Sequence, residues 1–174
     1  MSNWWPWRRD APTGYWGKRP DVCGSRMTST TPSGRGGRLV RRVDRARVRL
    51  LLDTHVALWA LGASPRLGET CTAAITSGDN DAYVSAVSVA EVAVKSALGK
   101  LRDAEDFVDL VEQAGFTELA LTAAHADQLR TLPMIHRDPF DRMLLVQAQV
   151  EGLTFVTADA QCTDYDVRTM EARR

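Results

Sequence analysis

The chain's 174 residues are 44% hydrophobic and 25% charged, a make-up that suits one ordinary globular domain with some chain to spare. No run of about 18 apolar residues exists, which excludes a membrane-spanning helix. The amino terminus lacks the continuous apolar stretch of a secretory signal, so a cytoplasmic protein is expected. The formal net charge of zero conceals a division: residues 1–48 carry 11 Lys or Arg against 3 Asp or Glu, whereas residues 49–174 carry 11 against 19.

Residues 1–48 hold four of the five Trp and four of the seven Pro, together with the stretch TSTTPSGRGGR. No helical or strand period runs through them, and residues 1–47 read as a disordered, basic, Trp-rich extension. Its mix of cations and aromatics suits phosphate attraction and base stacking. A simpler reading is a mis-assigned start, with the true chain beginning at Val48. Cys23, Cys71 and Cys162 are odd in number and widely spaced, and read as free thiols in a reducing compartment.

From Val48 the pattern becomes regular. The run VRLLL ends abruptly in Asp53, and a short helix over 54–61 follows at once, as when a buried central strand hands over to a helix. Asp53 has two readings: a ligand at the carboxyl edge of a parallel sheet, or an N-cap. A break at 62–65 precedes a helix over 66–77. Strand 82–85 leads into a helix from Ser88, where Ser88 and Glu91 have capping-box spacing, a structural task for Glu91 beside any chemical one. An amphipathic helix over 103–114 turns its acids to solvent. Strand 116–121, helix 122–132 and the loop PMIHRDPFDR follow, and Asp138 before Pro139 predicts an N-cap for a helix over 139–152. Strand 153–157 ends in Thr157, Ala158 and Asp159, and 166–170 suits a short last strand.

Strands alternating with helices predict an α/β fold, a three-layer α/β/α sandwich on a mainly parallel sheet. Asp53 and Asp159 then follow strands, while Glu91, Asp138 and Asp141 lie in first turns of helices leaving the same edge. Five acids can therefore converge on one cleft. Two carboxylates about 5 Å apart repel by roughly 3 kcal/mol at an effective dielectric near 20, so a divalent cation or protonation must relieve the strain. Oxygen donors favour Mg2+, or Mn2+, over zinc. His55, His125 and His136 stand singly and read as structural or solvent-facing rather than as ligands.

LLLDTHVALWAL, SAVSVAEVAVKSALGKL and HRDPFDRMLLVQAQVEGLTFVTAD together resemble the PIN-domain family, in particular VapC-like toxins of bacterial toxin–antitoxin pairs, with the likeness running from about Val48 to Met170. The resemblance implies a PIN-like nuclease domain over 48–174 acting as a magnesium-dependent endoribonuclease. It places the catalytic, metal-holding acids at Asp53, Glu91, Asp141 and Asp159, with Asp138 as a supporting fifth acid and Thr157 as a supporting hydroxyl. It further implies an RNA substrate, transfer RNA being the leading class, a VapB-like antitoxin partner and a homodimer. Ala90 departs from the family, where many relatives carry a bulky aromatic. Lys95, Lys100, Arg137 and Arg142 are the candidate phosphate contacts in an otherwise acidic domain. A non-catalytic RNA- or protein-binding module and an Asp-nucleophile phosphatase are the rival readings. The second suffers because His55 stands where that chemistry wants another Asp.

Overall fold

The computed structural model describes residues 47–101 and 104–173; the expected extension, with Cys23, lies outside them. The apolar run after Val48 forms β1 (Arg49–Leu52). Leu50, Leu51 and Leu52 are all fully buried, so β1 is covered on both faces, as an unalternating apolar strand requires. β2 (Asp81–Ser85) and β4 (Thr154–Thr157) flank it, and β3 (Thr117–Leu119) and β5 (Thr169–Glu171) form the edges. The order is β3-β2-β1-β4-β5 and every pairing is parallel, with Leu51 opposite Tyr83 on one side and Phe155 on the other.

Six α-helices connect these strands among the described residues: α1 (Thr54–Leu61), α2 (Glu69–Thr76), α3 (Ala86–Ala97), α4 (Phe107–Gln113), α5 (Ala123–Gln128) and α6 (Pro139–Glu151). One core joins Leu50, Leu52 and Val156 to Val56 of α1, Ile75 of α2 and Val111 of α4. The other joins Leu51 and Phe155 to Leu144, Leu145 and Ala148 of α6. The expected three-layer sandwich on a parallel sheet is therefore observed. No described helix is long and apolar enough to cross a membrane.

α4 begins four residues later than predicted and α5 ends four residues earlier, and α3 starts at Ala86 rather than at Ser88. Ser85, the last residue of β2, caps it directly: its Oγ accepts the Val87 N–H at 2.9 Å and donates to Gln147 Oε1 at 2.5 Å. Strand and helix thus join without a loop, Ser88 falls inside the helix, and the expected capping box with Glu91 does not form. α2 is shorter than predicted because Gly68 ends the preceding turns, and β5 begins three residues later than expected. α6 follows the prediction: Asp138 caps it, Pro139 opens it, and Gly152 closes it at φ 64, a left-handed turn that glycine adopts without a Cβ clash.

Strand order decides where a site can form. The chain lays β2 and β3 on one side of β1, then returns to place β4 on the other side. The connections leaving β1 and β4 therefore diverge and open a crevice at their carboxyl ends.

Candidate active site

That crevice holds the predicted acids. Asp53 follows β1, and its backbone N–H reaches Val156 of β4 at 3.0 Å. Both of its carboxylate oxygens are held: Oδ1 accepts the His55 N–H at 3.2 Å, capping α1, and Oδ2 accepts the Thr157 hydroxyl at 2.8 Å. The two readings of Asp53 are thus compatible, because the cap uses one lone pair and orients the rest. Thr157 ends β4 and also accepts the Asp159 N–H at 3.1 Å, so one hydroxyl ties both strand-end acids together. Asp159 opens a 3-10 turn (Ala160–Asp164), where its Oδ1 accepts the Gln161 N–H at 2.8 Å.

Glu91 lies well inside α3 and is buried. Thr54 of α1 donates its hydroxyl to Glu91 Oε2 at 2.6 Å, and Lys95, one turn on, pairs with Oε1. Asp138 Oδ1 accepts the Phe140 N–H at 2.8 Å, and Asp141 follows in the first turn of α6. Four elements of the fold therefore deliver five carboxylates to one place.

Electrostatics show how close they are. The Asp141 carboxyl is pushed up to about 7, first by burial and then by the charges of Asp53 and Asp138, with Glu91 adding to them and His136 opposing. Burial also raises Asp53, although His55 and the Thr157 hydroxyl pull the other way. Asp159 differs: burial works to raise it, but the Gln161 N–H and His136 outweigh that and leave it below its ordinary value. Burial and like charge thus favour the protonated form of Asp141, while hydrogen bonds favour the charged form of Asp159. An all-oxygen set of this kind fits a hard divalent cation, whose charge would let Asp141 ionise.

His136 lies closer to the acids than its isolated place in the sequence suggested. Read as structural or solvent-facing rather than as a ligand, it has its Nε2 3.1 Å from Asp159 Oδ2 and 3.4 Å from Asp141 Oδ2, and the three side chains form a cluster with metal-ligand spacing. No sequence signal exposes this, because Asp159 stands 23 residues away and meets the ring only through the fold. The other two histidines match expectation. His125 is buried in the capping box that opens α5, with Thr122 N–H on its Nδ1, and the side chain of His55 is mostly exposed.

Arg142 also departs from its expected role. Its guanidinium takes the carbonyls of Pro133, Leu132 and Leu129, bracing the loop before α6 instead of facing a phosphate. Basic character comes instead from a cavity of about 510 Å³ beside Asp53 and Asp159, lined by Arg66, Lys95, Lys100 and Arg173. Arg173 stacks over Trp59 in its wall, 5.6 Å from the ring centre. Arg66 and Arg173 carried no motif that would have marked them.

The PIN domain family model matches residues 50–167. No curated protein matches the chain. Among solved structures it is similar to VapBC2 from Rickettsia felis bound to a DNA fragment from their promoter, with a TM-score of 0.56 and 14% identity over 71% of this chain and 98% of that one. It is also similar to FitAcB from Neisseria gonorrhoeae, with a TM-score of 0.50 and 22% identity over 71% of this chain and 97% of that one. At such identities the likeness is one of fold.

Proposed function

The chain belongs to the PIN-domain family, and from that premise we propose that it is a magnesium-dependent endoribonuclease, the toxin of a toxin–antitoxin pair. The observation that carries the reading is the gathering of carboxylates at one edge of the sheet, with Asp53 and Asp159 joined through the Thr157 hydroxyl and Asp159 and Asp141 both facing His136 Nε2. Such a gathering of carboxylates suits a site built around a cation that supplies the missing positive charge.

A bound Mg2+, or Mn2+, would lower the pKa of a coordinated water and offset charge on the phosphate oxygens. Asp53, Glu91, Asp141 and Asp159 would hold it directly or through water. Thr157 keeps Asp53 and Asp159 in fixed relation, and Asp138 anchors the helix that presents Asp141. Because such hydrolysis needs no 2′-hydroxyl nucleophile, the products carry 5′-phosphate and 3′-hydroxyl ends. Lys100 and Arg173 in the adjoining cavity, and Arg137 on the exposed loop, suit contacts to the phosphates of an RNA strand. Transfer RNA is the proposed class.

A VapB-like antitoxin and a second copy of the chain are the proposed partners, and the cytoplasm the proposed compartment. The fold shared with VapBC2 supports the first. Val94 on α3, Leu98 just after it and Val108 on α4 are exposed apolar side chains that either partner would cover.

The test incubates the full chain with total RNA and Mg2+, beside Asp53→Asn and Asp141→Asn. We expect discrete fragments with 5′-phosphate ends from the wild type alone, abolished by chelator, with both variants folded. Cleavage retained in both variants overturns the assignment. Silence from the wild type under every divalent metal favours a binding module.

A further inference from the structure

We propose that His136 is a positioning residue whose imidazole N–H sets the facing carboxylates of Asp141 and Asp159 at the spacing that receives the cation. This rests on the metal-site reading above. His136 lies in the loop between α5 and α6 and is 9% exposed. Its ring is held at one end by the Asp138 backbone N–H, which donates to Nδ1 at 3.1 Å. An amide N–H can only donate, so Nδ1 must offer its lone pair, and the proton of the neutral ring resides on Nε2. That Nε2–H faces two carboxylate oxygens, Asp159 Oδ2 at 3.1 Å and Asp141 Oδ2 at 3.4 Å.

The main chain of the same residue is fixed as well. Its N–H donates to the Tyr165 hydroxyl at 2.6 Å, which ties the loop to the segment between β4 and β5. Asp141 belongs to α6 and Asp159 to the end of β4, and like charge drives the two apart. The ring spans them with a single donor.

The tautomer also decides against ligation. For Nε2 to bind a metal, the ring proton would have to move to Nδ1, where it would oppose the Asp138 N–H. His136 therefore acts beside the ligands, as second-shell donors do when they orient a carboxylate, an effect whose loss costs about 10–100-fold in metal affinity.

The experiment titrates the full chain with Mn2+, read by electron paramagnetic resonance, for wild type, His136→Ala, His136→Asn and His136→Gln, with folding checked by circular dichroism. Glutamine can carry an amide N–H to about the place of Nε2; asparagine is too short to do so. We expect Mn2+ affinity to fall about 10–100-fold in the Ala and Asn variants and to stay within about threefold in the Gln variant. All three lose the ring and its Nδ1 acceptor, so a merely structural role would weaken them alike, and that result overturns the proposal. Unchanged affinity in Asn does the same, as does a nitrogen hyperfine coupling from imidazole on bound Mn2+. Metal binding is read without cleavage, so an inactive wild type that binds Mn2+ overturns the nuclease reading alone, while one that binds none overturns both.

Discussion

Thr157 shows how much one hydroxyl carries, since it donates to Asp53 Oδ2 and accepts the Asp159 N–H. Thr157→Val keeps the shape and leaves both partners short of a bond, which costs about 1–3 kcal/mol in a buried setting. A melting temperature lower by several degrees, largely restored in Thr157→Ser, is the expected result of thermal denaturation. Asp141 adds a pH signature. Its carboxyl titrates near 4 in the unfolded chain and at about 7 in the folded one. The folded protein thus retains a proton that the unfolded chain releases, so this contribution to stability is complete below about pH 4 and lost as pH rises through 7. Asp53, raised by burial, has the same sign. Metal-free protein should therefore melt at a lower temperature at pH 8 than at pH 5, and Asp141→Asn should flatten the difference. A difference of equal size in Asp141→Asn would assign it elsewhere. At this scale the places of Asp53, Asp138, Asp141 and Asp159 were legible because strand ends and helix starts are local facts, whereas Glu91, expected in a first turn, lies well inside α3. The place of His136 was not legible, because its neighbours are set by chain closure.

The elements were legible where punctuation is local. Pro139 behind Asp138 and Gly152 fixed both ends of α6 correctly, and the unbroken Leu50, Leu51, Leu52 run announced a central strand. α3 was misjudged because Ser85 and Ser88 are both plausible caps, and the choice is made from another helix. Gln147 of α6, fully buried, accepts from Ser85 Oγ and donates to the Ala120 carbonyl at 3.1 Å. It stitches the start of α3 to the chain after β3. Replacing it with leucine leaves a carbonyl without its partner and a buried hydroxyl without its acceptor, for which we expect about 2–4 kcal/mol of destabilisation by urea unfolding. Loss below about 0.5 kcal/mol would mean that α3 is held by packing alone.

Considered whole, the molecule is a parallel sandwich whose cores are apolar on both faces and whose carboxyl edge gathers negative charge. A cation that binds only the folded state should stabilise it by about 2.7 kcal/mol at a hundred times its dissociation constant. Differential scanning calorimetry should show the melting temperature rising by roughly 5–10 °C with Mg2+. In Asp141→Asn the rise should shrink or vanish; a full rise there would move the cation elsewhere. The alternation of strands and helices made the layers readable from sequence, whereas the basic cavity wall was not, since Arg66 and Arg173 meet only in three dimensions.

The strand order would also govern when the proposed activity could arise during synthesis. Asp53 and Thr157 stand 104 residues apart yet share a hydrogen bond, because β4 pairs with β1 on the side away from β2 and β3. A nascent chain halted before Leu153 would already contain Asp53, Glu91 and Asp141, but would lack the wall that turns them into a crevice. If the proposed site is the active one, ribosomes stalled midway through the message would carry an inert intermediate, and the proposed chemistry would begin only once translation had passed the fourth strand.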